Sequence, residues 1–401
     1  MKIPDDLEIR SIYFDRIKPF IGKPIIKVLT GQRRVGKSYL LYQLISTIQQ
    51  FDPQATIIYI NKEDLYFSFI KTAEDLNEYI LSHIHPKEKT YIFIDEIQDI
   101  KNFQDALRSL SLHQTLDIYC TGSNANLLSS DIAGKLSGRY IEFTIYSLSF
   151  KEFLQFHQLE NKEDSLERYL KYGGLPYLKN LPLKDEVVFE YLKNIYATIV
   201  YRDIINRYAV RNTIFLEQLI LFLAAHIGSL FSAKKISDFL KSQKTNIPPN
   251  QVQIYIKHLV DAFLLHQVPR FDLIGKRLFE IGDKFYFENL GIRNGIWGYR
   301  LEDKGKIIEN VVYNHLLISG YQVKVGIIDT QEIDFYCEKN GEKKYIQVAL
   351  SLYEEKTMER EFGNLKKIPD HYPKEVITLV PFIGNTVDGI KATDLRSFLS
   401  E

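Results

Sequence analysis

Gly31-Gln32-Arg33-Arg34-Val35-Gly36-Lys37-Ser38 spells G-x-x-x-x-G-K-[ST], and the reading of these residues decides the fold. Glycines at both ends let the backbone curl until successive N–H groups point at one place, a cradle for phosphate oxygens. In this pattern Lys37 reaches the β/γ-phosphates and Ser38 offers its hydroxyl to Mg2+. The flanks agree. Ile25-Ile26-Lys27-Val28-Leu29 reads as a buried strand and Tyr39-Leu40-Leu41-Tyr42-Gln43-Leu44-Ile45 as a helix. That order sets the positive end of the helix dipole under the phosphates. The expected nucleotide-binding set is therefore Gly31, Gln32, Arg33, Arg34, Val35, Gly36, Lys37 and Ser38, with Tyr39 beside them.

Further strand-like runs follow at 55–60, 90–94, 116–120 and 140–145, with helix-like stretches at 9–20, 73–84 and 103–112. Strands alternating with helices predict an α/β fold, a parallel sheet covered by helices on both faces. Ligands in such sheets bind at the carboxyl ends of the strands. Three polar groups fall there. Asp95 follows the apolar run Tyr91–Ile94, where a carboxylate can hold Mg2+, and Glu96 can polarise an attacking water; the pair also reads as a helix cap. In Thr121-Gly122-Ser123-Asn124, Ser123 or Asn124 can orient water or sense a γ-phosphate, or the stretch is a turn with an N-cap. Arg139, after Gly138, reads either as an arginine finger, in cis or from a neighbouring subunit, or as a surface ion-pair partner.

Composition narrows the remaining classes. The 401 residues carry 51 Lys+Arg against 51 Asp+Glu, so no global basic field argues for nucleic acid, and any such binding must rest on a local patch. Two cysteines, Cys120 and Cys337, both in apolar runs, speak against a disulfide framework or a cysteine-based zinc site and for a reducing cytoplasm. The start, Met1-Lys2-Ile3-Pro4-Asp5-Asp6, is too acidic and polar for a signal peptide. No run approaches the roughly 18 consecutive apolar residues of a membrane span.

Taken in order, Gly-Gln-Arg-Arg-Val-Gly-Lys-Ser, Ile-Asp-Glu-Ile-Gln, Thr-Gly-Ser-Asn, Leu-Ser-Gly-Arg-Tyr and Tyr-Ser-Leu-Ser-Phe-Lys-Glu-Phe resemble the prokaryotic AAA+-like ATPases that carry a C-terminal domain of unknown function. The resemblance covers nearly the whole chain. It implies Walker A, Walker B, sensor 1 and glycine-arginine roles for the first four motifs. It also implies a sheet with the P-loop strand central, and ATP rather than GTP as the nucleotide.

The second half is read less directly. Helices, then strand-like 263–268 and 284–287, follow a winged-helix layout whose second helix offers Asn250, Gln251, Gln253, Tyr255, Lys257 and His258 to a major groove. Lys241, Lys244, Arg270, Lys276 and Arg277 add positive charge for phosphates. DNA and a protein partner remain the two alternatives for residues 232–290. From 301 the order resembles a PD-(D/E)xK nuclease core. Glu309 and Asp334 match it, but Gln347 and Ala349 stand where it needs a carboxylate and an ammonium. The expected division is thus an AAA+-like domain at 1–150, a helical lid or connector at 151–212, a winged-helix-like module at 213–300 and a degenerate nuclease-like domain at 301–401. The expected activity is Mg2+-dependent ATP hydrolysis, by Lys37, Asp95, Glu96, Ser123 and Arg139, coupled to movement of the C-terminal modules. A nucleotide-gated adaptor with negligible turnover and an ATP-dependent nuclease are the alternatives. The oligomeric state stays open.

Overall fold

A computed structural model of the chain describes residues 3–4, 7–85, 88–128, 134, 136, 138–242, 245–382 and 386–401. They divide into two units, residues 1–146 with Asp261–Phe263, and residues 147–260 with 264–401. Both cysteines are buried and free, and no described helix is long and apolar enough to cross a membrane.

In the first unit, α1 (Ser11–Ile17) leads to β1 (Ile26–Thr30), α2 (Lys37–Phe51), β2 (Thr56–Asn61), α3 (Ala73–Ser82), β3 (Thr90–Asp95), α4 (Phe103–Leu110), β4 (Leu116–Gly122) and β5 (Tyr140–Thr144). The five strands pair in the order β2-β3-β4-β1-β5, every pair parallel. β1, β3 and β4 are buried along their whole length, which explains why they read as unbroken apolar runs rather than alternating ones. The P-loop strand is interior, as expected, though fourth of five. Register then aligns the strand tips: Thr30 lies between Gly122 and Thr144, and Asn61 pairs with Asp95. The expected carboxyl-edge groups of β1, β3 and β4 therefore share one edge.

Toward the other edge, an ion pair is sealed into the sheet. Lys27 Nζ meets Asp117 Oδ1 with neither side chain exposed. The carboxylate also accepts from Gly22 N (2.6 Å) and Tyr119 OH (3.0 Å), and Lys27 Nζ donates to Lys23 O at 2.7 Å. Burial alone drives the Lys27 ammonium toward neutrality; Asp117 opposes it. Every buried polar group in the pair has a partner, so the pair is tolerated, but it is sensitive to loss of one side.

In the second unit, helices α5 (Phe150–His157), α6 (Glu163–Tyr172) and α7 (Asp185–Thr198) are followed by a π-helical stretch, Ile199–Asn206, in which Asp203 is buried and Arg202 exposed. Then come α8 (Thr213–Ala225), β6 (Leu230–Phe231), α9 (Ala233–Ser242), α10 (Pro249–Asp261), β7 (Leu265–Asp272) and β8 (Arg277–Phe287). After α11 (Leu290–Trp297) and α12 (Lys304–Ile318) follow β9 (Gln322–Ile328), β10 (Gln331–Lys339), β11 (Glu342–Ala349), α13 (Glu355–Lys366), β12 (Lys374–Thr378), β13 (Thr386–Val387), β14 (Ile390–Asp394) and α14 (Leu395–Leu399). All nine strands form one sheet, β13-β14-β12-β11-β10-β9-β7-β8-β6. The boundary expected at residue 300 is not a break in this sheet. β7 runs parallel to β9, Arg270 opposite Val325, so the free edge of the β7–β8 hairpin is satisfied by a strand expected to belong to another domain.

Two groove-facing expectations on α10 are corrected. Tyr255 is buried with its ring 4.8 Å from that of Phe215, and the His258 ring stacks on Tyr208 at 3.9 Å. The helix period sends them inward; Asn250, Gln253 and Lys257, at i, i+3 and i+7, are exposed. Gln251 is half-buried, Lys241 is exposed, Arg270 donates to Gly282 O (3.0 Å), Arg277 pairs with Asp272 (3.5 Å), and Lys244 lies outside the described residues. Asp117→Ala, by orphaning the buried Lys27, is expected to lower unfolding free energy by about 3–5 kcal/mol in urea titrations. Lys27→Met/Asp117→Leu together should lose markedly less.

Candidate functional site

Between β1 and α2 the chain turns on Gly31 and Gly36, at φ +147° and +98°. A Cβ on Gly31 would stand 2.1 Å from Ile145 O and 3.3 Å from Val35 Cγ2, so nothing larger than glycine fits. Arg34 takes the left-handed region (φ +71°) without being glycine, and its side chain is exposed. Strain of that kind persists where surroundings over-determine it. One such constraint is Arg10, which the motif reading had passed over. Buried beside the loop, it donates from Nη1 to Val35 O (2.8 Å) and Tyr146 O (3.0 Å).

Lys37 opens α2 and turns its ammonium onto the carbonyls of Gly31 and Gln32, each at 2.9 Å. Gln32 is buried and donates from Nε2 to Phe263 O at 2.8 Å, while its Oε1 has no partner. Tyr39 is exposed, its ring edge-on to Tyr42 at 5.9 Å.

Asp95, the last residue of β3, is buried under hydroxyls. Thr121 Oγ1 donates to Oδ1, Tyr59 OH donates to Oδ2 at 3.2 Å, and Ser38 hydrogen-bonds the same carboxylate. Burial, chiefly, pushes the Asp95 carboxyl above its ordinary range. Glu96 differs. Its backbone is left-handed (φ +58°), its N–H donates to Thr121 Oγ1 at 2.9 Å, and its carboxylate accepts from Gln98 Nε2 and from Ser123 Oγ at 3.1 Å. Burial pushes this carboxyl up too, but Lys37 and Arg33 outweigh it and hold it below the usual range. The helix-cap alternative does not describe it: the Glu96 side chain makes no cap bond to the turn Ile97–Asp99. Arg33, buried, reaches Glu96 at 3.8 Å and Glu63 at 3.2 Å.

The structure thus brings together Gly31 to Ser38, Asp95, Glu96 and Ser123, and adds Thr121, Gln98, Tyr59 and Arg10. It does not bring Arg139 to them. Ile26 N donates to Arg139 O, and Tyr140 pairs with Ile26 at the amino end of β1. At about 3.3 Å per residue, that is roughly 16 Å from the loop along the strands. The cis-finger expectation is corrected accordingly; contact with a phosphate would have to be made on another copy of the chain. Ser38 and Asp95 offer only hard oxygen donors, the set that suits Mg2+, and the orphaned Oε1 atoms of Gln32 and Gln98 mark polar capacity still unused.

Residues 23–154 match the AAA domain family, and residues 163–303 match a domain of unknown function (DUF8612). An uncharacterized protein of Haemophilus influenzae is 36% identical over 390 residues, spanning 95% of this chain and 96% of its own length. One of Methanocaldococcus jannaschii is 31% identical over 363 residues, spanning 85% and 78%. Among solved structures, the replication initiator DnaA bound to AMPPCP and single-stranded DNA is similar at 15% identity and TM-score 0.32, over 65% of this chain and 90% of that one. Domain III of the Thermotoga maritima DnaA gives 13% and 0.32, over 50% and 88%.

Gly31→Ala forces a methyl into the Ile145 carbonyl. It is expected to weaken binding of a fluorescent ATP analogue at least ~10-fold, with the circular dichroism spectrum retained.

Proposed function

This chain belongs to the family of its Haemophilus influenzae and Methanocaldococcus jannaschii relatives and carries a P-loop AAA domain, and we propose that it is a Mg2+-dependent ATPase. The observation that carries the reading is the Thr121 hydroxyl, which donates to the Asp95 carboxylate and accepts from the backbone N–H of Glu96, joining two residues whose carboxyls differ in character: Asp95 against the Ser38 hydroxyl and Glu96 held ionised by Lys37 and Arg33. In this reading the loop amides and Lys37 bind the β/γ-phosphates, trading two neutral carbonyl partners for charged oxygens. Ser38 and Asp95 would hold the metal ion, which supplies neutralisation of charge developing on the transferred phosphoryl group. Glu96, ionised and fixed by Gln98 and Ser123, orients water for in-line attack. Ser123 touches Glu96 directly, so its role is to report or fix that carboxylate. Arg139 acts, if on a nucleotide, in trans.

Hydrolysis is coupled, in this account, to a binding module in residues 213–300. The order α8–β6–α9–α10–β7–β8, with β8 paired between β6 and β7, supports a winged-helix reading. The exposed stripe Asn250, Gln253, Lys257, with Lys241 nearby in sequence, favours a DNA backbone and groove as its target over a protein. Residues 301–401 serve as a nuclease-like scaffold for docking rather than for cutting.

Phosphate release tests the chemistry. Lys37→Ala and Glu96→Gln are each expected to cut turnover at least ~100-fold, with ATP binding kept in Glu96→Gln. Unchanged turnover in Glu96→Gln sinks the assignment, and negligible turnover in the wild type, with or without duplex DNA, favours the adaptor. DNA affinity that falls with salt, with a slope reduced in Lys241→Ala/Lys257→Ala, supports the nucleic-acid target; no affinity at low salt favours a protein partner.

A further inference from the structure

Asp261–Phe263, the end of α10 and its cap, belong to the first unit, whereas the rest of α10 and β7 belong to the second. The helix is closed by Leu264 N, which donates to Leu259 O at 3.0 Å. In this common helix ending the residue before the donor takes the left-handed region and is most often glycine. Here that residue is Phe263, at φ +54°. A phenylalanine in this conformation is strained, and such strain persists where the surroundings over-determine the backbone. One of those surroundings is the P-loop: Gln32 Nε2 donates to Phe263 O at 2.8 Å.

Gln32 has no exposed surface, and its Oε1 has no partner, so the bond to Phe263 is the one its buried amide makes. The main-chain carbonyl of the same residue is one of the two on which the Lys37 ammonium rests, at 2.9 Å. Gln32 is thus held at once by the group that a β/γ-phosphate would draw away and by the cap of α10. A matching arrangement exists within the second unit. Glu288 N donates to Leu264 O at 3.3 Å, and its carboxylate accepts from Ser147 N at 2.6 Å and Ser147 Oγ at 2.9 Å. Glu288 therefore ties together two chain segments, each of which leads within one or two residues to a P-loop contact. Leu264 follows Phe263, whose carbonyl takes Gln32; Ser147 lies two residues after Ile145, whose carbonyl crowds Gly31.

We propose that the Gln32–Phe263 bond is the relay that passes occupancy of the P-loop to the cap of α10, and so to the exposed stripe Asn250, Gln253 and Lys257 on that helix. The relay presupposes that the loop binds ATP. As it stands, the Gln32 residue is divided between the Lys37 ammonium and Phe263. With phosphate in the cradle the anion fixes the loop amides, Lys37 turns to phosphoryl oxygens, and Gln32 is left to Phe263 alone. The cap then opens less often, and α10 keeps the geometry in which its stripe is presented. Linkage is reciprocal, so a ligand that fastens α10 favours nucleotide in the loop by the same factor. The Gln32 side chain touches no reacting atom in this scheme; it is a positioning group.

The test is amide hydrogen exchange of the full-length protein, read by mass spectrometry, with and without a non-hydrolysable ATP analogue and Mg2+. The analogue is used at saturation, set from the titration of each variant. In the wild type it is expected to slow fragments covering 31–40 and, at least ~5-fold, those covering 259–268 and 284–290. Gln32→Met, similar in length but without a donor, should keep the slowing at 31–40 and lose it at the other two. Gln32→Asn, which draws the amide back by one methylene, should do the same, and it serves if the methionine variant does not fold. A bond with a structural role alone would shift 259–268 equally with and without the analogue, leaving the difference between the two states intact. An intact difference in either variant overturns the relay. So does a wild type that binds the analogue with 31–40 slowed and 259–268 unchanged, which leaves the ATPase reading standing. A wild type that binds no analogue removes that reading and the relay together.

Discussion

The P-loop site depends first on a distance. The backbone just past β5 runs so close to Gly31 that a methyl there would lie 2.1 Å from Ile145 O. The approach is held by hydrogen bonds on both sides: Ile145 N donates to Thr30 O at 2.7 Å, and Arg10 links the carbonyls of Val35 and Tyr146. The curl of the loop is therefore set by the β1–β5 junction as well as by its own glycines. With the curl fixed, Lys37 and Ser38 open α2 at the same sheet edge as Asp95 and Thr121. The hydroxyl and the two carboxylates can then meet without long side chains that would cost entropy to order.

Lysine is used in two ways in this chain. Lys37 rests on two neutral backbone carbonyls, partners that phosphate oxygens can replace with stronger, charge-assisted bonds. Lys284 is buried and is surrounded by three half-buried carboxylates, Glu309, Glu332 and Asp334, so displacing it means leaving several charges without a counterion. The first arrangement suits a site that exchanges ligands; the second suits a permanent fastening.

Much of the first unit was legible in the sequence, because its signals are local. Unbroken apolar runs such as Tyr91–Ile94 ending in Asp95 give strand, end and polar tip within a few residues, and β1 to β5 fall where the pattern put them. What local pattern does not carry is which side chain faces which. Thr121 stood in the stretch singled out, yet its hydroxyl, shared between Asp95 and the Glu96 N–H, needs the β3–β4 register to be seen. Tyr59 and Arg10 reach the site only through packing. Arg139 stayed open between an arginine finger and a surface partner because a Gly-Arg pair says nothing about which end of a strand it occupies. In the second unit, Tyr255 and His258 look like groove-facing polar residues until the helix phase is fixed against Phe215 and Tyr208. The β7–β9 pairing and the Lys284 cluster join segments far apart in the chain, and no periodicity records that.

The account turns on Gly31 to Ser38 being a nucleotide cradle served by Asp95 and Glu96. A crystal structure of the Glu96→Gln protein grown with ATP and Mg2+ tests this most directly. The account predicts phosphate density inside the loop, the Lys37 ammonium moved from the Gly31 and Gln32 carbonyls to phosphoryl oxygens, and a metal ion flanked by Ser38 and Asp95. Nucleotide bound elsewhere, or a loop at full ATP occupancy of the crystal with Lys37 still on those carbonyls, contradicts it.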